Sequence, residues 1–209
     1  MSDILSFGFG KEDIKGGVFE KYKGKKGEVH RCGIVFSDPD VLFSGAKIHY
    51  EPNSKRYFIC KKGVCCEKLG VSKYRIGAVL IKYGTDKLGG LKAPFAYDLF
   101  PWIFSETCYV KLQTVHNEFP LTTHDLKISC TNEEFQHLDI TPCNESVWQA
   151  KDELKKKVLE DAKSVWDYVK KSIAADLSVE EIKDLFSMSS GVGTDPTTKL
   201  DLDSILTSA

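Results

Sequence analysis

The residues best suited to chemistry are one histidine and three cysteines that lie within 18 residues of each other. His49 is followed by Cys60, Cys65 and Cys66 in the spacing His-x10-Cys-x4-Cys-Cys. A Cys-x4-Cys step lets two thiolates turn back onto one ion around Gly63, and Zn²⁺ prefers four nitrogen and sulfur ligands in a tetrahedron. The sequence therefore predicts a structural zinc site formed by His49, Cys60, Cys65 and Cys66.

The adjacent cysteine pair leaves the ligand set open, because neighbouring residues do not readily place both sulfurs on one metal. Either Cys65 or Cys66 is then a bystander, and His30 or Cys32 completes the set. In the alternative without a metal, the cysteines are reduced and behave as small apolar side chains.

Basic and aromatic residues alternate through the segments around this cluster. Cations can follow a nucleic-acid backbone while exposed rings stack on bases, at about 1–3 kcal/mol per base, without reading sequence. The predicted DNA-contacting residues are Lys47, Lys55, Arg56, Tyr57, Lys61, Lys62, Lys73, Tyr74, Arg75, Lys82 and Tyr83. Because alternate residues of a strand face opposite sides, some of the rings in these segments must belong to the core.

The distribution of charge also favours a polyanionic partner. The whole chain of 209 residues has a formal net charge of -1. Residues 1–100, however, contain 18 Lys and Arg against 11 Asp and Glu, whereas residues 101–209 contain 11 against 19. A basic half joined to an acidic half is typical of a chain whose first half contacts a polyanion.

No pattern of catalytic residues accompanies these features. There is no nucleophile elbow, and no glycine-rich phosphate loop follows a predicted strand. We therefore expect a non-enzymatic protein.

Short segments rich in Val, Ile, Tyr, Phe and Thr predict strands between residues 27 and 143. The segment Glu51–Ser54 predicts a hairpin turn between two of them. The predicted strands are Val29–Ser37, Ala46–Tyr50, Arg56–Cys60, Tyr74–Tyr83, Thr107–Val115, Leu126–Ser129 and Leu138–Thr141. They do not alternate regularly with helices, which favours a small barrel or sandwich over a doubly wound sheet.

Two helices are predicted after this β-domain, which makes the fold class mainly β with C-terminal helices. The first is capped by Ser146 and runs to about Ile173, with an apolar stripe that we expect to pack on the β-domain. The second follows Ser178, which has Glu181 three residues later as in a capping box, and ends near Phe186.

The chain divides into four predicted parts. They are a basic flexible arm (1–26), the β-domain (27–143) with its candidate zinc site at 49–66, the helical segment (144–187) and a flexible acidic docking tail (188–209). No apolar run reaches the roughly 20 residues of a membrane helix. Seven cysteines, an odd number, and a start without a secretory signal predict a protein of the reducing cytoplasm.

This order of parts resembles the single-stranded DNA-binding (helix-destabilising) proteins of T-even phages. The zinc pattern of that family, a histidine followed by three cysteines, corresponds here to His49, Cys60, Cys65 and Cys66, although the family separates its last two cysteines by two residues. The resemblance implies an oligonucleotide/oligosaccharide-binding barrel (OB-fold), with Zn²⁺ as a structural cofactor. It also implies an acidic tail that docks replication proteins such as a polymerase, a helicase or a helicase loader. The tail residues that correspond are Leu200, Asp201, Leu202, Asp203, Ile205 and Leu206.

The predicted function is sequence-tolerant binding of single-stranded DNA in support of phage or viral DNA replication, recombination or repair. The family associates through a basic stretch at its N-terminus, whereas this chain begins Ser2-Asp3-Ile4. We therefore expect a monomer or a weakly self-associating protein. The alternative is a zinc-containing accessory subunit that binds a polymerase or another protein partner.

Overall fold

A computed structural model describes residues 19–85, 90–92, 95–132 and 137–190. Its antiparallel sheet contains seven strands: β1 (Val29–Val35), β2 (Ser44–Glu51), β3 (Arg56–Ile59), β4 (Lys73–Tyr83), β5 (Tyr97–Ser105), β6 (His124–Cys130) and β7 (Leu138–Glu145). The helices are α1 (Val64–Leu69), α2 (Glu106–Glu118), α3 (Asp152–Ile173) and α4 (Val179–Ser190), and Val147–Gln149 forms a 3₁₀ turn. The predicted class, mainly β with C-terminal helices, is confirmed.

β4 is the longest strand and pairs along both of its edges. β5 pairs with residues 75–83 on one edge, while β2 and β1 share the other edge by pairing with residues 73–77 and 79–82. The sheet then continues from β2 to β3, and from β1 through β6 to β7. Within the described ranges no pairing joins β3 or β5 to β7, so the barrel expected from the sequence is not confirmed.

Helix α3 covers one face of this sheet, where it packs across β4 and β5. Its buried residues recur every three or four positions, as the predicted apolar stripe requires. They are Val158, Ala162, Val165, Val169 and Ile173. The helix begins at Asp152 rather than at Ser146, because residues 147–149 form the separate 3₁₀ turn.

The opposite face is covered by α2 and by the segment that precedes β1. The Phe43 ring contacts the edges of Phe104 and of Tyr109 in α2. Tyr22 is buried against Phe100 and Trp102. The end of the predicted flexible arm is therefore anchored in the core, while residues 1–18 of that arm lie outside the described residues.

The segment predicted as the strand Thr107–Val115 is instead helix α2, and that prediction is wrong. Its β-branched residues favour a strand, but its more buried residues Cys108, Leu112 and Val115 follow a helical spacing. The strand that the sequence analysis missed is β5, which contains Pro101. In an antiparallel strand the N–H and the C=O of one residue point to the same side. The Pro101 carbonyl accepts a hydrogen bond from the Tyr22 amide, on the side away from β4. The lack of an N–H at Pro101 therefore costs no hydrogen bond to β4.

A second unit of the structure starts at Ser178, and its described part comprises residues 178–190. The predicted capping box is confirmed, since the Ser178 amide donates to the Glu181 carboxylate and the Glu181 amide donates to the Ser178 hydroxyl. The helix it starts, α4, extends to Ser190, beyond the predicted end at Phe186. No helix within the described ranges is long and apolar enough to cross a membrane.

Gly77 of β4 permits the close approach of α3 and supplies a test of this packing. A Cβ atom at this position would lie 2.6 Å from Val169 Cγ1 and 2.9 Å from Ile103 Cδ1. We expect Gly77→Ala to lower the free energy of unfolding by about 1–3 kcal/mol, measured by urea denaturation. The control Gly84→Ala has ordinary contacts of 3.6 Å or more and should stay within about 0.5 kcal/mol of the wild type. Equal stability of the two variants would contradict the packing.

Candidate metal centre and basic surface

Three of the four predicted metal ligands lie together on the end of the sheet that carries the β2–β3 hairpin. His49 Nε2 is 3.1 Å from Cys60 Sγ and 3.6 Å from Cys66 Sγ, and the two sulfurs are 3.5 Å apart. The edges of a tetrahedral zinc site, from bond lengths of about 2.1 Å to nitrogen and 2.3 Å to sulfur, are about 3.6 Å and 3.8 Å. The triangle of donor atoms is therefore close to the size of one face of such a site, and the cluster can hold a metal ion.

The backbone after Cys60 turns so that it supports a thiolate. Lys62 and Gly63 both have positive φ angles, 61° and 49°, a conformation that non-glycine residues seldom adopt. The turn directs the Lys62 amide at Cys60 Sγ, 3.4 Å away, and amides arranged in this way stabilise an anion. Helix α1 begins directly after the turn and brings Cys66 back to Cys60.

The structure distinguishes between the adjacent cysteines. Cys65 is only 2% exposed and lies outside the cluster, whereas Cys66 is half-buried and belongs to it. Of the adjacent pair, the structure therefore brings Cys66 and not Cys65 to His49 and Cys60, because consecutive residues of α1 point in different directions. The alternatives His30 and Cys32 are also outside the cluster, since His30 bonds the Tyr22 hydroxyl and Cys32 is buried in the core.

The electrostatics of His49 suit a metal ligand. The residue is 3% exposed, and this burial lowers the pKa of its imidazole, so the ring is neutral at pH 7 and has a lone pair to offer. In the metal-free cluster the hydrogen bond to Cys60 raises the pKa of the Cys66 thiol. One neutral nitrogen and two sulfurs form a donor set of the kind that binds zinc and other borderline-soft metals.

Most of the predicted DNA-contacting residues surround this cluster. They lie on β2, on β3, on the turns next to β3 and on the first three residues of β4, a region that we call the hairpin end of the sheet. The exposed members are Lys47, Lys55, Arg56, Tyr57, Lys61, Lys62, Lys73 and Tyr74. Helices α1 and α3 both contact β2, yet these side chains remain exposed around them.

The register distributes these residues over both faces of the sheet. Lys47 pairs with Tyr74 on the same face as His49, and its ammonium lies 5.2 Å from the centre of the Tyr74 ring. Tyr57 pairs with Tyr50 on the other face, with ring centres 4.8 Å apart. Tyr50 was not among the predicted contacts, although alternation along β2 would have placed it beside Tyr57 once the register was known.

Three predicted contacts have other roles. Tyr83 is buried and donates its hydroxyl to Asp125, so its prediction as a DNA contact is wrong. Lys82 is half-buried over the Phe100 ring, and it lies nine residues along β4 from Lys73, about 30 Å away. Arg75 is half-buried and bonds the last carbonyl of α3, at Ile173.

The contacts of Arg75 and Lys61 connect α3 to the hairpin end. The Arg75 guanidinium lies 4.1 Å from the centre of the Tyr57 ring, and Lys61 forms an ion pair with Asp176. Ala175 exchanges backbone hydrogen bonds with Tyr57 and Ile59 of the edge strand β3. The segment after α3 therefore fixes the outer edge of the hairpin.

The structure also contains a buried polar group that the sequence analysis missed. Asp125 is fully buried and accepts hydrogen bonds from Arg31, Tyr83 and the Val147 amide. Burial raises the pKa of this carboxyl group, although its hydrogen bonds and Arg31 oppose the effect. These contacts join β1, β4 and β6 to the 3₁₀ turn, which indicates a structural role.

The chain was compared with known protein families, with curated proteins and with solved structures, and no match was found in any of the three. The resemblance to the T-even phage proteins therefore stays a hypothesis.

Replacing each cysteine of the adjacent pair tests the ligand assignment. We expect Cys66→Ala to weaken binding of Zn²⁺ or Co²⁺ by more than about 100-fold, because the loss of a ligand should exceed the loss of an outer-shell partner. The matched variant Cys65→Ala should keep the wild-type affinity and lose about 1 kcal/mol of stability, as is typical of a buried substitution. Competition with a colorimetric chelator measures both affinities, and a larger effect at Cys65 would contradict the assignment.

Proposed function

We propose that the protein binds single-stranded DNA at the hairpin end of its sheet, and that a Zn²⁺ ion held by His49, Cys60 and Cys66 fixes this end. The observation that carries the proposal is the exposure of three tyrosines in one region. Tyr74 is 45% exposed, Tyr50 44% and Tyr57 40%. Exposed rings beside cations are the combination that retains single strands without reading sequence.

The charge of the same region supports a phosphate-rich ligand. Lys47, Lys55, Arg56, Lys62 and Lys73 are all exposed around the three rings. Of the acidic residues nearby, Glu51 accepts the amides of the hairpin turn and Asp176 pairs with Lys61, while Glu67 of α1 is exposed. The surface therefore presents an excess of positive charge, as a backbone-following site requires.

Zinc is the metal that the donor set favours. Two thiolates and one imidazole suit a borderline-soft ion that accepts tetrahedral geometry. An ion at this position would tie α1 to β2 and would hold the hairpin from the face that carries Lys47 and Tyr74. A closed barrel of the OB type is not needed for this arrangement, because both faces of the hairpin end carry exposed rings and cations.

The proposal includes a docking role for the C-terminal tail. The predicted docking residues Leu200, Asp201, Leu202, Asp203, Ile205 and Leu206 lie outside the described residues, so this part rests on the sequence alone. A variant that ends at Ser190 should bind oligonucleotides as a folded protein and should fail to retain replication proteins. Unchanged retention of replication proteins after this deletion would remove the tail from the proposal.

Fluorescence anisotropy with a labelled oligo-dT tests the main claim. Metal-loaded protein should bind the single strand more tightly than a duplex of equal length, and the affinity should fall steeply with salt, by about 0.7 log units per log salt for each neutralised phosphate. Weak and salt-insensitive binding would instead support the rival function, a zinc-containing subunit that binds a protein partner.

Single substitutions assign this binding to the hairpin end. We expect Tyr74→Ala and Tyr50→Ala each to weaken oligo-dT binding by about 5- to 150-fold, the equivalent of about 1–3 kcal/mol for the loss of a stacked base. Phe119→Ala is the matched control, since Phe119 is 39% exposed at the end of α2. An effect of the control equal to that of the tyrosine variants would place the interface elsewhere.

The lysines have a different signature. Lys47→Ala should reduce the slope of log affinity against log salt by about 0.7, because one phosphate contact is lost. Lys156→Ala, which removes an exposed cation from α3, should leave the slope unchanged. Equal slopes for all three proteins would contradict a phosphate contact at Lys47.

A further inference from the structure

We propose that the metal ion at His49, Cys60 and Cys66 keeps one coordination position for a ligand from outside the chain, an anionic sulfur donor such as the thiolate of a small thiol. This inference rests on the zinc site proposed above and adds a ligand-binding role to it. A purely structural zinc site, as the sequence predicted, would have four protein ligands and no such position.

The number of donor atoms is the first argument. Within the described ranges, the cluster contains one nitrogen and two sulfurs, and no further histidine, cysteine or carboxylate joins it. Cys65, the obvious fourth ligand, is buried outside the cluster. Some zinc sites have only three protein ligands, for example two cysteines and one histidine. Such sites hold water or a substrate in the fourth position.

The burial of the three ligands shows from where a fourth ligand can approach. His49, on strand β2 of the hairpin, is buried, whereas Cys60 and Cys66 are both half-exposed. The three donor atoms form one triangular face of the coordination tetrahedron, so the fourth position lies on the far side of the ion from this face. A small ligand can reach the ion from solvent beside the two thiols, without displacing the sheet.

The charge of the site selects the class of ligand. Zn²⁺ with two thiolates and a neutral imidazole has no net charge, so an anionic fourth ligand leaves one negative charge on the complex. Lys62 in the turn after Cys60, and Glu67 and Lys68 of α1, are all exposed and flank the ligands in the sequence, and their net charge of +1 can offset that negative charge. A thiolate is favoured over harder anions because soft donors suit an ion already bound by sulfur.

Cobalt substitution makes the fourth position visible. Full-length protein loaded with Co²⁺ should show the visible bands of a four-coordinate ion and the sulfur-to-cobalt charge-transfer absorbance of two thiolates. Addition of 2-mercaptoethanol should then raise the charge-transfer absorbance about 1.5-fold, from two thiolates to three, and should shift the visible bands saturably. The Cys65→Ala variant should respond in the same way, because that thiol is not a ligand.

Each outcome of this titration is decisive. A protein that shows three thiolates before thiol is added, or a spectrum that the thiol does not change, would overturn the open position while leaving the metal site intact. Loss of the third thiolate in Cys65→Ala would do the same by identifying Cys65 as the fourth ligand. Failure to take up Co²⁺ would overturn the metal site itself, and the oligo-dT titration would still report separately on DNA binding.

Discussion

The position of β4 between its partners is the constraint on which the rest of the structure depends. Residues 76–81 of this strand are buried, with α3 against one face, α2 on the other, β5 along one edge and β1 and β2 along the other. Lys73 and Tyr74, at the start of the strand, are exposed. The same strand therefore supplies the centre of the core and the exposed end where the hairpin, α1 and the metal cluster meet.

This division explains which site residues the sequence could identify. Helical periodicity predicted the buried stripe of α3, and residue composition predicted the strands on both sides of the Glu51–Ser54 turn, because these signals are local. The spacing of His49, Cys60 and Cys66 was also sufficient to predict that these side chains cluster in a way that could hold a metal ion. Tyr83 was misassigned, since composition alone cannot reveal which end of a long strand the helices cover.

The remaining errors have one physical origin, the dominance of tertiary contacts over local preference. The segment after Ser105 contains β-branched residues yet forms α2, because its apolar side chains at helical spacing pack on the sheet. The choice between Cys65 and Cys66 depends on how α1 sits against β2, which no spacing rule contains. Asp125 escaped notice because a single buried carboxylate has no motif, and its partners Arg31 and Tyr83 are distant in the sequence.

The central claim is that single-stranded DNA contacts the hairpin end of the sheet and not the helix-covered remainder. Amide hydrogen exchange of the metal-loaded protein, with and without a saturating oligo-dT, tests it most directly. The account predicts slower exchange in β2, β3 and α1 and at residues 73–75, with β6, β7 and α2 unchanged. Protection confined to β6, β7 or α2, or the absence of any protection by bound oligonucleotide, would contradict it.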